Sequence, residues 1–318
     1  MRTPIERILL PHDPDILRPI KGRRRGTAVT AKIIDGRAIA QQVRNGLRGK
    51  VEALKSRGVN PGLAFVLVGD NPASVSYVRS KNQACQDVGL NSQTFHLLED
   101  ATQDEVLALI HQLNGDPAWH GILVQLPLPK HISENEVINA IALEKDVDGI
   151  HPASMGRLLR GEPTFKPCTP AGVQRLLLDS GYDPAGKHVV ICGRSNIVGK
   201  PLAAILMQKA PGANATVTIC HTRTQNLAEM TRQADILIAA MGSPRAITAD
   251  MVREGAVVID VGNNTVEDAS RKSGYRLVGD VDFDAVAEKA AAITPVPGGV
   301  GPMTVAMVVY NTVVAAGG

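Results

Sequence analysis

The chain has 318 residues, 44% of them apolar, 3% aromatic and 20% charged, with a formal net charge of +3; that is length for two cores and too little charge bias for a nucleic-acid binder as a whole. Its four cysteines, Cys85, Cys168, Cys192 and Cys220, show no C-x-x-C spacing and no matching histidine cluster, which argues against a disulfide framework and a metal site and fits a reducing cytoplasm. No apolar run approaches the ~18 residues of a membrane span, so neither a membrane nor a nucleic acid is an expected partner.

Residues 1–29 alternate prolines, charges and short apolar pieces and contain the run Arg23 to Arg25. They read as a flexible extension, with a basic arm for nucleic acid as the alternative. From Ile33 the pattern becomes regular: a helix over 37–57, a strand at AFVLVG (64–69), a helix over 73–88, a strand at TFHLL (94–98), a helix over 102–113 and a strand at GILVQLP (121–127). Such alternation predicts β-α-β units on a mostly parallel sheet, with ligands at the carboxyl ends of its strands. A second series follows FKPCTP (165–170), with strands at HVVIC (188–192), TVTIC (216–220), DILIAA (235–240) and AVVIDVG (256–262). The closing run at 293–316 is a Pro/Gly loop feeding an apolar helix, expected to pack back on the first domain. The predicted class is α/β in two domains, the second of Rossmann type.

VICGRSNIVGKP (190–201) resembles a nucleotide-binding turn one residue longer than G-x-G-x-x-G. Gly193 follows the strand HVVIC, where a sharp turn favours glycine, and Ser195 is small enough to admit a pyrophosphate while adding a hydroxyl. A helix starting near Val198 points free N–H groups and its positive end at the same place, and Pro201 falls in its first turn. NAD-binding proteins carry an acid at the end of the second strand, but TVTIC runs into His221, Thr222, Arg223 and Thr224. Arg194, Thr222 and Arg223 suit a 2′-phosphate and hence NADP, unless the arginines are only solvated surface charges.

In SVSYVRSKNQA, Tyr77 and Lys81 are four apart on a predicted helix, hence on one face. A lysine partly desolvated beside a ring can exchange protons near neutrality; the same spacing also arises by chance on amphipathic helices. Short-chain dehydrogenases use Y-x-x-x-K downstream of the glycine turn, whereas here it lies far upstream, which disfavours that family. Gln125 and Asp148 stand in loops where a parallel sheet places ligand groups, or they cap backbone.

Taken with these motifs, the blocks YVRSK, GILVQLPLP, KDVDGIHP, PCTP, GRSNIVGKP, ATVTICHTRT, GAVVIDVG, GDVDF and ITPVPGGVGPMT resemble the bifunctional methylenetetrahydrofolate dehydrogenase/cyclohydrolases, from about Thr30 to the C-terminus. The resemblance implies NADP-dependent oxidation of 5,10-methylenetetrahydrofolate to the methenyl form, then hydrolysis to 10-formyltetrahydrofolate at the same site. It implies a catalytic Lys81, a Tyr77 that stacks on or orients the folate, a Gln125 that tunes Lys81 and an Asp148 that binds the pterin. It places Val124, Leu126, Pro297, Gly298 and Gly299 along the folate, and Gly193, Arg194, Ser195, Thr222, Arg223 and Asn263 along the cofactor. It also implies a homodimer through the second domain, and tetrahydrofolate derivatives as the partners. On this reading 1–29 is the extension, 30–165 plus 301–318 the folate-binding catalytic domain and 166–300 the NADP-binding domain.

Asn263 replaces the usual aliphatic residue of DVGIN beside the expected nicotinamide, and Ser154 replaces the Asn of HPxNxGRL at a position expected to be peripheral. The family's usual start aligns with Val29, a candidate true start. The rival readings are a dehydrogenase without hydrolysis, which the presence of Tyr77, Lys81, Gln125 and Asp148 disfavours, and a folate- or RNA-binding protein using Arg23 to Arg25.

Overall fold

The computed structural model describes residues 31–271 and 274–318. The expected extension, its arginine run and Val29 lie outside the described residues. Those described form two compact units: Gln41–Cys168 with Val305–Gly318, and residues 31–40 with Thr169–Thr304.

After the short strand β1 (Lys32–Ile33), helix α1 (Gly36–Ser56) buries Val43, Leu47, Val51 and Leu54. That spacing of three and four residues makes one apolar stripe. The first unit then alternates β2 (Gly62–Val68), α2 (Pro72–Asp87), β3 (Asn91–Leu97), α3 (Gln103–Gly115) and β4 (Gly121–Val124). All three strands are parallel in the order β3-β2-β4. Every residue of β2 is buried, as a central parallel strand covered on both faces requires. Because β3 and β4 flank it on opposite sides, the carboxyl end of β2 is a topological switch point, and α2 starts beside it. Asn71 caps α2 by accepting from Ala73 N at 3.0 Å and Ser74 N at 3.3 Å, and Pro72 fills the first helical position, where no N–H is missed. Helices α4 (Glu134–Ala140) and α5 (Pro152–Arg160) complete this stretch.

The second unit continues with α6 (Cys168–Asp179), β5 (His188–Cys192), α7 (Gly199–Leu206), β6 (Thr216–Cys220), α8 (Leu227–Thr231), β7 (Ile236–Ala239) and β8 (Val257–Asp260). A hairpin of β9 (Asn264–Glu267) and β10 (Tyr275–Val278) follows, then α9 (Phe283–Ala287) and β11 (Ala292–Ile293). The main sheet is parallel throughout, in the order β1-β11-β8-β7-β5-β6. β5 is followed by β6 on one side and β7 on the other, which makes its carboxyl end the second switch point.

The terminal helix α10 (Val300–Ala315) is apolar on nearly every side, and Val308, Val309 and Val313 are fully buried. From Val305 onward it belongs to the first unit, so it packs back there as expected. Sequence periodicity does not reveal α6, because the prolines of FKPCTP look like a linker. Pro170 in fact lies in its first turn, where a missing N–H costs nothing.

Candidate active site

Lys81 lies on α2 and is 8% exposed. Its Nζ donates to Gln125 Oε1 at 3.0 Å. Gln125 is the first residue beyond β4, and its own Nε2 donates to Leu126 O at 2.7 Å, so the amide is oriented with its oxygen toward the lysine. It therefore caps backbone and meets Lys81 at once. Burial lowers the Lys81 pKa from the ordinary 10.5, with Asp148 pulling it part of the way back. The amine is a compact proton carrier with a deprotonated state brought closer to neutrality. Tyr77, one turn before it, is 37% exposed, and partial burial raises its phenol pKa.

The loop that carries Asp148 is built around Asp146. This carboxylate is 1% exposed and accepts from Ile150 N at 3.2 Å, His151 N at 3.0 Å and Ser154 Oγ at 2.7 Å. Burial raises its pKa to about 7 in spite of those donors. Ser154 is thus not peripheral, as the sequence suggested: it is 1% exposed and supplies the shortest of these bonds. On the other side of Asp148, Cys168 N donates to Asp148 O at 3.3 Å and Cys168 Sγ to Val147 O at 3.2 Å. Burial holds the Cys168 thiol well above its usual pKa and pushes that of Cys85 up to about 12, so both stay protonated beside the lysine.

In the second unit the turn after β5 has the shape a dinucleotide needs. Gly193 takes φ 138°, and a Cβ there would stand 2.1 Å from Ala240 O, while one on Gly199 would stand 2.1 Å from Gly193 O. Neither position tolerates a side chain, because the turn packs against its own backbone and that of the neighbouring strand end, as the close strand-to-helix turn of a dinucleotide fold requires. Gly193 N donates to Cys220 O at 2.8 Å, and Ser195 Oγ accepts from Val198 N at 3.1 Å, leaving the hydroxyl proton free to point outward. α7 begins at Gly199 with its first N–H groups directed into the turn.

β5 and β6 end in register at Cys192 and Cys220, so Arg194, Thr222 and Arg223, all exposed, follow the ends of adjacent strands. Thr224 Oγ1 accepts from His221 N at 2.8 Å and His221 Nδ1 from Arg223 N at 3.1 Å; these bonds fix the turn that presents Thr222 and Arg223. Residues 221–224 at this strand end include no carboxylate. Asn263 follows β8 and is exposed. Pro297, exposed, and Gly298 and Gly299, buried, join β11 to α10 in this same unit, whereas Tyr77, Lys81, Val124, Gln125, Leu126 and Asp148 belong to the first.

Asp146, Ser154 and Asn311 were not singled out from sequence as site-building residues. Asn311 alone carried a usable signal: it is an amide inside the apolar run MVVYNTVVAA, and a polar side chain in such a helix needs buried partners.

Two α/β units with ligand-type switch points, one holding a buried lysine and one a dinucleotide turn, define a two-domain nucleotide-dependent enzyme class. Family models agree: residues 34–148 match the catalytic domain and residues 167–317 the NAD(P)-binding domain of tetrahydrofolate dehydrogenase/cyclohydrolase. The chain is 60% identical over 290 residues to the bifunctional protein FolD of Dehalococcoides mccartyi, covering 91% of this chain and 97% of that one. It is 57% identical over 286 residues to that of Moorella thermoacetica, covering 90% and 99%. The crystal structure of the Campylobacter jejuni bifunctional FolD matches with a TM-score of 0.85 at 49% identity, covering 90% of this chain and 99% of that one. The Trypanosoma brucei enzyme complexed with NADP and inhibitor matches with a TM-score of 0.86 at 40% identity, covering 90% and 97%. The chain belongs to the tetrahydrofolate dehydrogenase/cyclohydrolase family.

Proposed function

We propose that this protein oxidises 5,10-methylenetetrahydrofolate to the methenyl form with NADP and hydrolyses that product to 10-formyltetrahydrofolate. The observation that carries the reading is the buried Lys81 amine held at 3.0 Å by Gln125, in a chain whose relatives are named as bifunctional. When bound, NADP supplies a nicotinamide ring that takes up the hydride. Gly193 and Ser195 would hold its pyrophosphate, Arg194, Thr222 and Arg223 its 2′-phosphate, and Asn263 would lie toward the nicotinamide.

The first reaction needs orientation rather than a protein base, since the methylene carbon loses hydride and no proton. Tyr77, Asp148, Val124, Leu126 and the loop Pro297 to Gly299 would position the folate. The second reaction does need proton movement. Water adding to the methenyl carbon must lose a proton, and opening of the ring must deliver one to a nitrogen; Lys81 Nζ serves both, with Gln125 fixing its position and burial favouring its neutral form.

We assign residues 30–165 with 301–318 to the folate-binding part and 166–300 to the NADP-binding part. The reaction belongs to one-carbon metabolism and its formyl product suits purine biosynthesis. Four buried free cysteines agree with a reducing cytoplasm, and none of the described helices is long and apolar enough to cross a membrane. A homodimer through the second unit is supported by β6, an edge strand on which Ile219 is 37% exposed. The test is absorbance at the NADPH band with methylenetetrahydrofolate: growth with NADP well above that with NAD supports the reading, and no growth with either rejects it.

A further inference from the structure

Asp148 is bracketed by two chain segments that are remote in sequence. Residues 146–149 form one, and residues 166–168 the other. They press together closely: Gly149 takes φ +71°, and a Cβ on it would stand 2.6 Å from the Lys166 carbonyl carbon and 2.7 Å from Pro167 N. Main-chain bonds alone do not explain how this contact is kept in one geometry, since only Cys168 N to Asp148 O, at 3.3 Å, runs directly between them.

Asn311 of α10 reaches both. Its Nδ2 donates to Val147 O at 2.8 Å and to Lys166 O at 3.1 Å, and lies 3.5 Å from Cys168 Sγ. The side chain is 4% exposed, so both amide protons are committed and water is excluded. An amide with two protons in a fixed plane is the one short side chain that can bridge two carbonyls so. A leucine of the same size would take one donor from each carbonyl in a dry setting, leaving Val147 O with the weaker thiol donor of Cys168.

We infer that Asn311 is a positioning residue for the reaction: by clipping Val147 O to Lys166 O it sets where Asp148 and Cys168 stand relative to Lys81. The terminal helix thereby contributes to catalysis without touching substrate. The inference rests on the proposed roles of Lys81 and Asp148, and a displacement of ~1 Å in such a group costs up to ~100-fold in rate.

The experiment compares Asn311→Leu and Asn311→Ser with Thr312→Val. Thr312 is fully buried, and its hydroxyl donates within the helix to Val308 O at 2.8 Å, so its loss weakens the same helix without touching either segment. Purified full-length variants are assayed for kcat and KM in both reactions, for NADP affinity by fluorescence titration, and for thermal unfolding. The expected result is a loss of about tenfold or more in kcat/KM for folate in both reactions in Asn311→Leu. A smaller loss is expected in Asn311→Ser, which keeps one donor. NADP affinity should be unchanged, and Thr312→Val should retain full kcat at comparable loss of Tm. Should Asn311→Leu fail to fold, the Asn311→Ser loss with NADP affinity intact decides the matter. Folate kinetics in Asn311→Ser within twofold of the unaltered enzyme, or an equal kinetic loss in Thr312→Val, overturns the inference. Failure of the underlying reading would look different: hydrolysis would then survive replacement of Lys81 itself.

Discussion

Lys81 and Gln125 lie 44 residues apart in sequence and meet at 3.0 Å, amine to amide oxygen. The pairing is of charge to dipole, since among the described residues no carboxylate forms an ion pair with the lysine, and burial lowers its pKa with Asp148 the largest of the opposing influences. A full negative charge at the Gln125 position would stabilise the ammonium far more than the amide does. Gln125→Glu is therefore expected to raise the Lys81 pKa and move the acid limb of the hydrolysis profile to higher pH. Measuring kcat for methenyl hydrolysis against pH checks this; an unmoved limb means that Lys81 is not the titrating group.

Asp146 gives a stability signature. Its carboxyl titrates near the ordinary 3.8 when unfolded and at about 7 when folded. Between those values the folded protein keeps a proton that the unfolded chain has released, so this group's contribution is fully present at low pH and is lost as pH rises through the window. The slope is about 1.4 kcal/mol per pH unit. Asp146→Asn removes the titration, so urea unfolding should find the gap between the two proteins smaller at about pH 8 than at about pH 5. An equal gap at both values contradicts the assignment.

The cofactor turn can be tested by bulk and by charge. Gly193→Ala drives a methyl group onto Ala240 O at a φ of 138° that alanine resists. NADP binding should be lost while the first unit, which does not contain the residue, keeps its folate affinity. Arg223→Ser should raise KM for NADP by ~10-fold or more and leave KM for NAD nearly unchanged, since a charge-assisted pair to a 2′-phosphate is absent with NAD. Equal effects on both cofactors would place Arg223 elsewhere.

Much of this molecule was legible beforehand because its central strands β2, β4, β5, β7 and β8 are buried almost throughout. HVVIC reads as a continuous apolar run, TVTIC alternates threonine with apolar residues at the partly exposed sheet edge, and both strands have the predicted bounds. Gly193 was legible because a strand ending in glycine before a helix leaves few backbone alternatives. The two-residue strands β1 and β11 were not, since no periodicity exists at that length. Nor was the support of Asp148. Asp146, Ser154 and Asn311 act through contacts that only the folded chain creates, the longest joining residues 164 apart, and local pattern carries no record of them. Ser154 was misjudged for the same reason: its neighbours in sequence are a helix start, while its partner is a carboxylate eight residues back.

The most direct measurement is methenyltetrahydrofolate hydrolysis by Lys81→Met, followed as decay of the methenyl absorbance and set beside NADPH formation by the same preparation. Hydrolysis reduced by ~100-fold or more, with measurable oxidation remaining, is the expected result, because only the second reaction moves protons through the amine. Hydrolysis at the rate of the unaltered enzyme would contradict the assignment of that amine as the proton carrier.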